Sequence, residues 1–519
     1  MASLNNGKRF SSQQSLNVAV KSICDIMRRS NCAGALQYVP ELTWILFLRI
    51  LDEREALEAE QASAVGAEFT FSLEPPYRWR DWAAPDGQKR KELQEGAFGS
   101  FYAFVNEELI PYLRALREKP NATPRQKVIS EIFSGTERTR IDTERNLLDI
   151  IDKVHAVSSN GVDQTHIFTL SQVYEGLLLK MGEKNNDGGQ FFTPREVIRA
   201  MVRVVDPKVG ETVYDPGCGT GGFLAQAYEH MSSAIGAAGT TTADQIEALK
   251  ERTFYGREKD NAIYPIVLAN LVLHGIDEPH IWHGNTLTGG ETYGGLFEGA
   301  PALFDVILMN PPFGGKEGKD AQTQFAYKTG STQVLFLQHV IESLTPTGRC
   351  GIVLDEGVLF RTNEKAYVQT KRKLLEECDL WCIVSLPPGT FANAGAGVKA
   401  NLLFFTKGRA TERIWYYDLS DVKVTKRQPL TLAHFEEFLR LLPDRADGDH
   451  GWTVTIEEIR GRNYDLKAVN PNARTDEDTR TPEELLDLIE AKGREVAEAL
   501  QELRRTLPAQ HHRRGTGMD

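Results

Sequence analysis

Residues 212–223 read TVYDPGCGTGGF. A short β-branched and aromatic run ends in an acid and a proline, and glycines follow at 217, 219, 221 and 222. The chain then continues as FLAQAYEHM (223–231), whose apolar residues fall at helical spacing. Strand, glycine turn and helix in that order form the opening unit of an α/β sheet. Six more runs of the same kind follow: TFYGRE (253–258), HIWHGN (280–285), FDVILMN (304–310), RCGIVL (349–354), LWCIVSL (380–386) and NLLFFT (401–406). Near-continuous apolar runs separated by helical stretches predict a mostly parallel sheet covered on both faces. On such sheets ligands bind beyond the carboxyl ends of the strands.

Working outward, the chain has 519 residues, which suggests two or three domains. Residues 1–160 lean helical. Leu16, Val20, Ile23 and Met27 lie three and four apart, and LTWILFLRILDEREALEAE (42–60) begins apolar and ends charged. That pattern suits a helix half buried in a bundle, while 68–98, rich in Trp, Pro and charge, reads as a long loop. Helical pattern returns at 101–117 and 143–156. The sheet-forming region spans 161–410, and 411–470 (opening on RIWYYDLS, 413–420) is expected to be a small mixed extension. A polar linker leads into a last helix within 471–519. Thr481-Pro482-x-Glu484 spells a capping box with Pro at the first helical position. Leu486, Ile489, Gly493, Val496, Leu500, Leu503 and Leu507 then trace a heptad seam. The seam either folds back on its own domain or docks on a partner helix.

Composition excludes several classes. No apolar stretch approaches the ~18 residues of a membrane span, and MASLNNGKRFSSQQSLN (1–17) has no apolar core of a secretory signal. The six cysteines show no paired CxxC pattern, so reduced thiols in a cytoplasmic protein and no metal site are expected. Sixty basic against 72 acidic residues give a net charge of −12. A chain that gripped duplex DNA unaided would carry a basic footprint; if nucleic acid is the substrate, another chain supplies much of the grip.

The chemistry-bearing residues sit at the predicted strand ends. Asp215 leads the glycine loop, and Gly217, Gly219, Gly221 and Gly222 let backbone approach a ligand. The glycines are not spaced GxGxxG, and an acidic leader suits a cationic, amine-bearing ligand better than a pyrophosphate. S-adenosyl-L-methionine fits that description. Glu258 ends the next strand, where an acid can accept from both hydroxyls of a ribose. Asn285, at the tip of the third, either makes an Asn turn or meets the cofactor adenine. NPPF (310–313) closes the fourth. Asn310 and a carbonyl fixed by Pro311 and Pro312 can accept from an exocyclic amine and localise its lone pair, with Phe313 stacked on a flipped base. Upstream, GGQFFTPR (188–195) places Pro194 at a helix start with Thr193 as its cap; it is read either as capping alone or as a wall of the cofactor pocket. GGKEGKD (314–320) only looks like a phosphate loop, since Phe313 stands where GxxxxGK needs Gly and Asp320 replaces Ser/Thr.

Taken together, FFTP, then DPGCGTGGF, then NPPF resemble the DNA adenine-N6 methyltransferases, and specifically the modification (M) subunits of type I restriction-modification systems. LSQVYEGLLLKM (170–181), VLANLVLHGID (267–277) and GVKANLLFFTKG (397–408) extend the likeness. The resemblance implies a Rossmann-like S-adenosylmethionine-dependent methyltransferase fold with a helical N-terminal domain for partner or DNA contacts. It puts cofactor contacts on Gln190, Phe191, Phe192, Thr193, Pro194 and Arg195, on Thr220 to Gly222, and on Glu258. Asn310, Pro311, Pro312 and Phe313 become the catalytic tetrad. It further implies adenine-specific methylation of double-stranded DNA. The partners would be a specificity (S) subunit, shared by two M subunits, and a restriction (R) nuclease/translocase subunit. The terminal helix is the candidate docking element. The family's loop usually reads DPACGSGGF, so Gly217 and Thr220 are substitutions here, and Asn285 stands where Asp is common. Two other readings are a catalytically silent scaffold subunit and a protein-glutamine N5 methyltransferase.

Overall fold

The computed structural model describes residues 13–32, 35–156, 193–238, 242–291, 296–391, 399–425, 428–472 and 481–506. All seven predicted runs are strands, and three more join them. In chain order these are β1 (Val213–Asp215), β2 (Phe254–Glu258), β3 (His280–Asn285), β4 (Gly290–Glu291) and β5 (Phe304–Met309). There follow β6 (Leu344–Asp355), β7 (Cys378–Ser385), β8 (Ala400–Lys407), β9 (Arg413–Asp418) and β10 (Gly451–Thr455). They form one sheet in the order β10-β9-β7-β8-β6-β5-β1-β2-β3-β4. Pairs β1–β2, β2–β3, β1–β5 and β5–β6 are parallel. β8 enters antiparallel between β6 and β7, a reversal the apolar run NLLFFT does not encode. β9 continues the same sheet parallel to β7, and β10 closes that edge antiparallel to β9. The expected mixed extension is therefore a sheet edge.

The strands read as continuous apolar runs because both faces are buried. In β5, Val306 and Leu308 belong to one core and Ile307 and Met309 to the other; a strand's period of two sorts them. The first core is shared with the N-terminal helices. Helix Ala35–Ala64 buries Leu42 through Leu51 as the sequence suggests, but Asp52 and Glu55 of its charged half are buried too, and mostly exposed residues begin at Glu60. The stretch expected as a long loop is instead packed: Trp79 and Trp82 are fully buried, and short helices form at Trp79–Trp82 and Gln88–Glu95. Two large indoles contribute enough apolar area to hold an otherwise polar segment against the core.

The N-terminal helices meet the sheet domain at helix Tyr264–His274. Arg125, largely buried, bonds Glu58 Oε2 at 2.8 Å, Glu55 Oε1 at 3.2 Å and Asp277 Oδ1 at 2.7 Å. Arg54 donates to the Val272 carbonyl and to Glu58. Removing one member of a buried ion network leaves the others desolvated and unpaired. Arg125→Ala is accordingly expected to destabilise the chain by about 3–5 kcal/mol in denaturant unfolding; a change below ~1 kcal/mol would show the network to be solvated in solution.

The described residues up to Pro471 form one compact unit. Beyond it, helix Pro482–Thr506 starts with the predicted capping box: Glu484 N donates to Thr481 Oγ1 (3.2 Å) and Thr481 N to Glu484 Oε2 (2.7 Å). Leu486, Ile489, Val496 and Leu500 are more than half exposed; the Leu503 side chain and Leu507 lie outside the described residues. Among the described residues no helix is long and apolar enough to cross a membrane.

Candidate active site

Strand order reverses between β5 and β1, the point at which open α/β sheets leave a crevice above their carboxyl ends. A cavity of about 270 Å³ opens there. Asp215 ends β1, Glu258 ends β2, Asn285 ends β3 and Asn310 follows β5; all four line the cavity. Gly217, Gly219, Thr220 and Gly222 also line it, as do Thr193, Arg195 and Pro312. Pro194, Gly221, Pro311 and Phe313 are near it in sequence but do not line it. Gln190, Phe191 and Phe192 lie outside the described residues.

The glycine loop is held from three sides. Gly219 N donates to Glu258 Oε2 at 3.0 Å, Asn270 Nδ2 donates to the Thr220 carbonyl at 2.8 Å, and Thr286 Oγ1 donates to the Pro216 carbonyl at 2.5 Å. Gly221 serves packing: its φ is +82°, and a Cβ there would lie 2.9 Å from Val267 Cγ2. Gly217 is under no such constraint. A Cβ would meet the movable end of Met309 at 3.1 Å, so the alanine usual in the resembling family fits.

Two acids face this loop in low-dielectric surroundings. Burial pushes the Asp215 carboxyl up to about 8, against the bond its Oδ1 accepts from Gly217 N (3.1 Å) and with the nearby Glu258 adding to the rise. Burial likewise pushes Glu258 up to about 7, opposed by the bond from Asp260 N to Oε1 at 2.8 Å. Two buried carboxyls without a cation are costly unless a ligand meets them. Each retains acceptor capacity after these backbone bonds. This is the acceptor set a cation with a diol requires, so these residues fit S-adenosylmethionine.

Thr193 corrects the sequence reading. Helix Arg195–Val205 has Pro194 as its N-cap and no side-chain cap bond. The Thr193 hydroxyl accepts instead from Asn310 Nδ2 at 3.0 Å, tying the FFTP segment to NPPF. The amide is thereby oriented: with its NH₂ engaged, Asn310 Oδ1 is buried and has no partner among the described residues. A buried acceptor left open normally has a ligand or water to meet. Phe313 sets its ring edge-on to Phe391, centroids 5.2 Å apart. Asn285 makes the Asn turn, Oδ1 accepting from Leu287 N at 3.0 Å, while still facing the cavity.

Sequence reasoning missed Thr286, Asn270 and Arg257. Arg257 lines the cavity with its guanidinium 4.2 Å from the centre of the Trp282 ring. Only Asn270 left a signal, as a fully buried polar residue in the midst of the apolar run PIVLANLVL (265–273).

A Rossmann-like sheet with an acid-lined glycine loop and an open amide acceptor at its switch point defines an amino-methyltransferase architecture. Comparisons with known proteins bear on which one. A family model for N-6 DNA methylases matches residues 165–480, and one for the HsdM N-terminal domain matches 16–154. The type I restriction enzyme EcoEI methylase subunit of Escherichia coli is 34% identical over 512 residues, covering 95% of this chain and 98% of that one. The EcoKI methylase subunit of Escherichia coli K12 is 30% identical over 84% of this chain and 78% of its own. Among solved structures, a chain from a study of type I R-M complex assembly and conformational transition is 37% identical, with TM-score 0.69 over 95% of this chain and 98% of its own. A modification subunit from Vibrio vulnificus YJ016 is 33% identical, with TM-score 0.77 over 91% of this chain and 99% of its own. The chain therefore belongs to the N-6 DNA methylase family and, within it, to the methylase subunits of type I restriction enzymes.

Proposed function

We propose that the cavity binds S-adenosylmethionine along Asp215, the 217–222 glycine loop and Glu258, and that Asn310 receives the N6 amino group of a flipped adenine. The observation that carries this reading is the unpartnered Asn310 Oδ1, buried at the switch point and oriented by Thr193. S-adenosylmethionine supplies an electrophilic methyl group on a sulfonium. The chain's own residues do the rest by position. Asn310 Oδ1 accepts one amino hydrogen and a carbonyl of the Pro311–Pro312 frame accepts the other, which draws the nitrogen lone pair out of the ring. The prolines fix φ and have no N–H, so nothing in the frame competes as a donor. Once methylated, the nitrogen sheds one proton to solvent; an amide is no base and is not asked to take it.

The acidic balance of the chain fits a division of labour in which a specificity subunit reads the sequence and grips the duplex. Two copies of this chain would serve one such subunit, with a nuclease/translocase subunit added for restriction. The exposed seam of helix Pro482–Thr506 fits docking on a partner helix. Truncation after residue 475 is expected to spare cofactor binding in calorimetry while weakening assembly with the specificity subunit at least tenfold; assembly at full strength would remove the helix from the interface.

Tritiated-methyl transfer to unmethylated genomic DNA, with and without the specificity subunit, tests the reading. Transfer is expected with the partner present. Cofactor binding with no transfer in either case would make the chain a silent scaffold.

A further inference from the structure

The segment that leaves the NPPF turn is built more firmly than a loop. Lys316 pairs with Ser331 in an isolated antiparallel bridge, and Glu317 N donates to the Gly330 carbonyl at 2.9 Å. Thr332 N donates to the Gly315 carbonyl at 3.2 Å, and Thr332 Oγ1 donates to Glu317 Oε1 at 2.8 Å. The two arms are pressed so close that a Cβ on Gly315 would lie 2.4 Å from Thr332 Oγ1. Thr332 opens helix Thr332–Ser343, most of which is buried in the core. The backbone of Lys316 is thus fixed to the body of the protein. Its side chain is exposed, lines the same cavity as Asn310, and forms no ion pair among the described residues. The neighbouring acid, Glu317, is already engaged by Thr332.

A cation on a fixed backbone at the rim of an active site, without an ion pair among the described residues, is conspicuous in a chain of net charge −12. The other cations of the cavity are placed differently. Arg195 opens helix Arg195–Val205, Arg257 lies against Trp282, and Lys259 follows Glu258 on the β2 side. Lys316 stands six residues past Asn310, the residue proposed above to receive the target base. A base extruded into this cavity brings its own phosphodiester to the rim, and that group is an anion with no base identity.

We propose that Lys316 binds the phosphate of the extruded nucleotide, so that GGKEGKD is a phosphate-binding segment for the substrate backbone. This rests on the DNA-methylation reading above. Lysine acts there as a point charge, holding the nucleotide in the site without reading its sequence.

The test uses the full chain with its specificity subunit, tritiated S-adenosylmethionine and unmethylated genomic DNA across a salt series. Lys316→Gln is expected to raise KM for DNA several-fold and to lower the slope of log KM against log salt by about one, the loss of one phosphate contact. KM for S-adenosylmethionine and kcat at saturating DNA should stay within about twofold, and Lys316→Arg should restore the slope. An unchanged KM for DNA and slope in Lys316→Gln would overturn the proposal, as would a rise confined to KM for the cofactor. Failure of the underlying reading shows differently: the wild-type complex itself would transfer no methyl to DNA.

Discussion

Asn310→Ala is expected to reduce methyl transfer to DNA by at least about 10²–10³-fold while leaving cofactor affinity within a few-fold of wild type. The two effects separate because of where the amide is held. Its NH₂ is spent on Thr193, and its Oδ1 is the open acceptor on the target side of the cavity. Deleting it removes an interaction that strengthens as the amine loses conjugation, so the loss falls on kcat rather than on ground-state binding. The contacts proposed for the cofactor at Asp215, the glycine loop and Glu258 are expected to stay in place. Single-turnover transfer and calorimetric titration measure the two quantities independently. Equal loss of both would show that Asn310 organises the cofactor pocket and does not receive the amine.

The second large effect concerns Glu258. Glu258→Gln is expected to weaken S-adenosylmethionine binding by about 10–100-fold, the range of one lost hydrogen bond to a charged acceptor. The amide also brings a donor toward Gly219 N, which needs an acceptor there. The wild-type pH dependence carries the same signature. Because burial holds Glu258 near 7, its accepting form is incomplete at pH 6 and dominant at pH 8, so affinity should rise over that interval. In Glu258→Gln the step near 7 disappears, while any step from Asp215 survives at a lower pH, because the Glu258 charge that helped raise it is gone. The linkage to folding has the opposite sign. The folded chain keeps protons that the unfolded chain releases at ordinary carboxylate values, so this part of the stability is complete in acid. It declines as pH rises from the ordinary carboxylate range through about 7.

The fold was largely legible because its signals are local. Each buried strand announces itself as an apolar run, and Asp215, Glu258, Asn285 and Asn310 stand at or just past the ends of such runs. The capping box at Thr481 and Glu484 is a four-residue pattern whose two bonds form as expected. What stayed hidden depends on residues far apart in sequence. Thr193 looked like a helix cap because helix Arg195–Val205 starts two residues later. Its hydroxyl is instead taken by an amide 117 residues away, which no local pattern encodes. Thr286 and Asn270 brace the glycine loop from 70 and 50 residues away. The antiparallel entry of β8 and the joining of β9 and β10 to the sheet follow from strand pairing, which apolar content does not specify. The buried tryptophans at 79 and 82 sat in a segment whose prolines and charges masked its apolar mass.

The open oxygen of Asn310 is proposed to receive the amino group of adenine. The most direct measurement is mass spectrometry of nucleosides from unmethylated DNA treated with the wild-type chain and its specificity subunit in the presence of S-adenosylmethionine. N6-methyl-2′-deoxyadenosine as the methylated nucleoside, absent when Asn310→Ala replaces the wild type, is the result expected. N4-methyl-2′-deoxycytidine in its place, or the same yield of N6-methyl-2′-deoxyadenosine from Asn310→Ala, would contradict it.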